Sequence, residues 1–68
     1  MAIRRQFDTE TYEAIELDGC FRYLYDNKIP ADIIEHERCT TIIIDAGDCE
    51  PEVVEYLKNK YGFMEEYE

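Results

Sequence analysis

The sequence predicts an α+β fold: a small two-layer domain with a short, mainly antiparallel sheet and a C-terminal helix packed on one face. Three observations carry that reading. Residues 39–44 (Cys-Thr-Thr-Ile-Ile-Ile) form a continuous β-branched run, as in a strand covered on both faces. Val53, Val54, Leu57 and Tyr61 recur at the spacing of one helical stripe. Asp18-Gly19 lies between the apolar and aromatic runs 12–17 and 20–25, the pattern of a two-residue hairpin turn.

Taken in chain order, residues 2–7 read as a short strand with Ile3 and Phe7 inward. In the hairpin reading of 12–25, Leu17 pairs with Cys20. Tyr12 then faces Tyr25, Ala14 faces Tyr23 and Glu16 faces Phe21. A helix through Leu17, Phe21, Leu24 and Lys28 competes for the same residues. Gly19 in its middle would cost about 1 kcal/mol against alanine, so the hairpin is preferred. Residues 27–30 are a turn. Residues 30–38 are a short helix or an edge strand, and Pro30 followed by Asp32 leans toward helix.

After a turn at 45–48, Pro51 suits the first position of a helix over 51–61, with Lys58 and Lys60 in its last turn. Gly62 suits the left-handed cap, with Phe63 folding back toward Leu57 or Lys58. Residues 1–63 thus make a single domain, and 64–68 an acidic, frayed tail.

A 68-residue chain buries only about 60% of its unfolded surface, which leaves little room for an enclosed substrate pocket. Its 17 acids and 7 bases give a net charge of −10. That charge repels phosphate, disfavours direct contact with nucleic acid or an anionic membrane, and favours a basic partner. No apolar run approaches the roughly 20 residues that span a bilayer. Met1 to Arg5 are followed by no apolar stretch of a secretory leader, so the expected location is cytoplasmic.

The chemistry of catalysis is thinly represented. There is no serine, and His36, the single histidine, stands among Glu35, Glu37 and Arg38 as a solvated group. Cys20, Cys39 and Cys49 are an odd number without a CxxC pair and read as reduced thiols. His36, Cys39 and Cys49, with Cys20, are an alternative metal or thiol site. Only the first two have the tight spacing of a zinc module, so neither a metal nor a cofactor is expected. The loop 45–50 lacks the ligand spacing of a calcium loop and offers no base to a phosphate.

What remains is surface. Asp8, Glu10, Glu13, Glu16 and Asp18 fall in one stretch without lysine or arginine. Asp45, Asp48, Glu50, Glu52 and Glu55 fall in another. The expected function is a small acidic protein-binding module, an inhibitor or regulator that docks on the basic surface of a nucleic-acid-handling protein and imitates nucleic-acid charge. Glu10, Tyr12, Glu13, Glu16, Tyr23 and Tyr25 are the expected contact residues, because tyrosine joins a large apolar area to a polar tip. A structural homo-oligomer, a homodimer at its smallest, is the other alternative. The chain is not read as an enzyme.

Overall fold

The computed structural model describes residues 1–66. Its elements are β1 (Ala2–Asp8), α1 (Glu13–Asp26), β2 (Asp32–Glu35), β3 (Cys39–Asp45), a single 3-10 turn (Ala46–Asp48), α2 (Pro51–Tyr61) and β4 (Met64–Glu66). The four strands form one sheet in the order β2-β3-β1-β4, with every neighbouring pair antiparallel. Strand β1 therefore runs parallel to β2 with β3 between them, and β3 runs parallel to β4 with β1 between them. Two split β-α-β units interlock, which is the connectivity of the ferredoxin-like folds. That architecture hosts many unrelated functions and by itself assigns none.

Register decides which side chains meet the helices. Ile3 lies opposite Ile44, Arg5 opposite Ile42 and Phe7 opposite Thr40, so these six share one face. Leu17, Cys20 and Leu24 of α1, Leu57 of α2 and Phe63 close the core against that face. The two layers expected from the sequence are present, with both helices on one side of the sheet.

Helix α2 is as its sequence signals require. Pro51 occupies the first turn, Lys58 and Lys60 the last, and Gly62 takes the left-handed conformation at φ 73°. The Phe63 amide donates back to the Leu57 carbonyl at 3.3 Å, and its ring is buried at the edge of Phe7.

Three local expectations are corrected. Residues 13–26 form a helix and not a hairpin. The 3.6-residue spacing of Leu17, Cys20 and Leu24 buries all three in the core and prevails over the local turn signal of Asp18-Gly19. Gly19 tolerates the helix because it faces α2: a Cβ placed there would stand 3.2 Å from the Tyr61 hydroxyl. Helix α1 ends in a Schellman motif, with the Ile29 amide bonded to the Leu24 carbonyl and Lys28 to Tyr25. Lys28 is left-handed at φ 54°.

Within the 30–38 segment, where the sequence leans to helix, Asp32–Glu35 is the edge strand β2. In the expected tail, Met64–Glu66 is a strand paired with β1, and residues 67–68 lie outside the described residues.

Candidate protein-docking surface

The side chain that organises the closed side of the sheet is Arg5. Its Nε donates to the Tyr61 carbonyl at 2.9 Å, which ties β1 to the end of α2. Its Nη2 donates to Glu13 Oε1 at 3.1 Å, which ties β1 to the start of α1, and its Nη1 donates to the Gln6 carbonyl. The guanidinium stands 4.5 Å from the centre of the Phe7 ring, within cation–π range. Glu13 uses its second oxygen to accept the Asp8 amide at 2.8 Å. That hydrogen bond, reinforced by Arg5, holds the Glu13 carboxyl below the usual carboxylate range.

The expected contact residues therefore separate. Glu13 is an internal brace, and Glu10 stands 3.8 Å from Arg38 at the surface. Glu16 is exposed and makes no ion pair among the described residues. The charge stretches lacked bases in sequence, but folding delivers Arg5 and Arg38 from other elements.

The tyrosines separate too. Tyr23 stacks on Tyr56 with ring centres 4.4 Å apart, and Tyr56 meets Tyr61 edge-on at 6.1 Å. These three fill the seam between the helices, and partial burial there raises the hydroxyl pKa values of Tyr23 and Tyr61. Tyr23 is thus largely committed within the domain. Tyr12 and Tyr25 are 76% and 85% exposed, at the two ends of α1, and neither faces the other as a hairpin would require. Between them Ile15 is 76% exposed, a residue that the sequence reading did not single out.

The thiols and the histidine do not converge. Cys20 is buried under α1, and desolvation pushes its thiol up to about 12, an unreactive state at neutral pH. Cys39 opens β3, whereas Cys49 follows the 3-10 turn beyond the other end of that strand. Burial, with Asp48 and Asp45 nearby, also raises the Cys49 thiol. His36 is exposed in the turn between β2 and β3, joined to Cys39 only through the backbone at 2.8 Å. Among the described residues no three His, Cys, Asp or Glu side chains group as metal ligands.

The β2 margin of the sheet presents a different surface. A groove of about 670 Å³ runs between the C-terminal half of α1 and β2, floored by Phe21, Leu24, Tyr25, Ile29, Ala31 and Ile33. Asp26 and Lys28 stand on its rim. Beside it, all four residues of β2 are exposed.

The pairing pattern shows which backbone groups are left over. The His36 amide bonds to the Cys39 carbonyl, and antiparallel ladders alternate bonded and non-bonded pairs. By the β2–β3 register, Ile34 opposite Thr41 and Asp32 opposite Ile43 are then the bonded pairs. Ile33 and Glu35 aim their N–H and C=O groups away from the sheet, along a free edge. The sequence signal for such an edge was slight: two isoleucines between acids, in a segment too short to reveal its period.

A second hollow, of about 770 Å³, lies across the molecule and includes Arg4, Arg5, Lys60, Glu16 and Glu65 in its lining. Several of its charged groups are already engaged: Arg4 with Glu66, Arg5 with Glu13 and Glu65 with Lys58. No protein-family model, curated protein or solved structure matches the chain.

Proposed function

We propose that this chain is a protein-binding module whose acidic helix layer docks on a basic surface of another protein, as an inhibitor or regulator of a protein that handles nucleic acid. One observation carries the reading. After folding, Glu16, Asp18, Glu52 and Glu55 remain exposed without ion pairs among the described residues, on the same layer as the exposed Tyr12, Ile15 and Tyr25. Large apolar side chains set among uncompensated carboxylates combine a source of binding energy with a source of electrostatic steering. Arg22 and Lys60 only partly offset that charge.

The test begins with capture of the partner and its identification by mass spectrometry, with light scattering to size the free chain. Glu16→Gln, Asp18→Asn, Glu52→Gln and Glu55→Gln together remove four charges with little change in volume and spare the Glu13 brace. Association with the captured partner should slow by about tenfold or more at low salt and lose most of its salt dependence. Tyr25→Ala should act on dissociation instead. Binding that ignores both salt and the fourfold change would refute the reading. A chain that only self-associates would favour a homo-oligomer.

A further inference from the structure

We propose that the free edge of β2 is a strand-addition site, at which a basic, extended segment of a partner joins the sheet as its fifth strand and lays alternate apolar side chains in the groove under α1. The inference deepens the proposed function by naming a mode of contact, and it rests on that reading only for the basic character of the partner.

Three features converge. The first is the backbone: Ile33 and Glu35 direct two N–H and two C=O groups outward, and only another extended chain matches that spacing. The second is the groove alongside, whose apolar floor includes Ile33, itself 47% exposed. Strand addition of this type draws affinity from the main chain and specificity from pockets for alternate residues. The third is charge. Asp26, Asp32 and Glu35 border the edge and groove, with Lys28 the one base on the groove rim. Lysine or arginine at the outward positions of the incoming strand would meet Asp32, while Asp26 and Glu35, on the groove side with Ile33, add longer-range attraction for a basic segment. A second copy is opposed by its own −10 charge, which repels the −10 of the first.

The edge is short and carries two acids, so its protection against such pairing is selective. Natural edges are blunted by lysine, proline, a bulge or a covering loop. Strand β2 carries none of the first two, and its flanking acids would deter acidic strands while admitting basic ones.

The probe is a synthetic heptapeptide alternating valine with lysine, compared with the same peptide N-methylated at alternate amides and with a valine–glutamate version. The readout is amide hydrogen exchange of the full chain, resolved by residue. Ile33 and Glu35 should exchange rapidly in the free protein and at least tenfold more slowly with the valine–lysine peptide. Both control peptides should leave them unprotected. Ile33→Pro removes an outward N–H that no ladder bond uses, so it should leave the β3 and β1 amides protected while abolishing protection of Glu35 by the peptide.

Unchanged exchange at Ile33 and Glu35 under saturating peptide would overturn the inference. So would protection by the N-methylated peptide, or protection that grows with protein concentration in the absence of peptide, which would identify a second copy as the occupant. If the edge stays unprotected but binding of the captured partner still depends on Glu16, Asp18, Glu52 and Glu55, strand addition falls and the acidic helix layer stands.

Discussion

The two margins of the sheet are built on opposite principles. At the β4 margin the chain ties itself down: Arg4 reaches Glu66, Lys58 reaches Glu65, and Arg5 joins β1 to both helices. At the β2 margin all four strand residues are exposed, and one of them, Ile33, lines an apolar groove. Polar and charged groups are consumed internally at the margin where the fold closes and are left exposed at the other. The contrast explains why a chain of net charge −10 does not present its acids uniformly. Several acids are braces or surface ion pairs, and the exposed helix layer and the β2 edge hold acids without ion pairs among the described residues.

The largest test of that contrast is mechanical. Phe7 is fully buried on β1, against Phe63 and under the Arg5 guanidinium. Phe7→Ala should cost about 3–5 kcal/mol, the range for a large aromatic removed from a closed core. Ile33→Ala at the open edge should cost less than about 1 kcal/mol, because nearly half of that side chain already meets water. Urea unfolding midpoints of the two variants measure both. Equal losses would mean that the groove is part of the core and not a surface held open.

Helix α1 bridges the two regions, with its Gly19 and Tyr23 side against α2 and its Phe21 and Tyr25 side over the groove. Gly19→Ala sharpens that picture. In the helix, alanine gains up to about 1 kcal/mol over glycine. Its Cβ would meet only the Tyr61 hydroxyl at 3.2 Å, the far end of a half-buried side chain that can yield by a few tenths of an ångström. The variant should therefore be more stable to heat. A loss of stability would indicate that Tyr61 is fixed by the seam and that α1 belongs wholly to the closed region.

That residue also shows what was legible in the sequence. Helix α2 and strand β3 were readable because their signals are local: Pro51, the Leu57 stripe, Gly62, and an unbroken β-branched run. Helix α1 was misread because Asp18-Gly19 is a strong turn signal when taken alone. The use of Gly19 as a point of helix–helix approach depends on Tyr61, 42 positions later. The surface was legible in composition and not in arrangement. An acidic, tyrosine-rich surface followed from composition. The diversion of Glu13 to Arg5 and of Tyr23 to Tyr56, and the orphan backbone groups of Ile33 and Glu35, all follow from tertiary pairing.

The smallest effects belong to two carboxylates of the same acidic stretch, one braced and one at the surface. Glu13, held by the Asp8 amide and Arg5, has its pKa lowered from the ordinary 4.5. A carboxylate that is more acidic in the folded state than in the unfolded one stabilises the fold above the ordinary value. That stabilisation is lost as pH falls from about there through the lowered folded value. Glu13→Gln should therefore lower the melting temperature at neutral pH and remove that part of its decline under acid, so that the two melting curves converge at low pH. Glu10, at 3.8 Å from a largely exposed Arg38 beside the open end of the sheet, is an ordinary surface pair. Glu10→Gln should leave the melting temperature at neutral pH unchanged within error. If instead the two variants behave alike, the hydrogen bond from Asp8 contributes nothing that a surface ion pair does not. The division of this acidic stretch into a brace and a free surface would then be lost, and with it the reason for sparing Glu13 in the binding experiment.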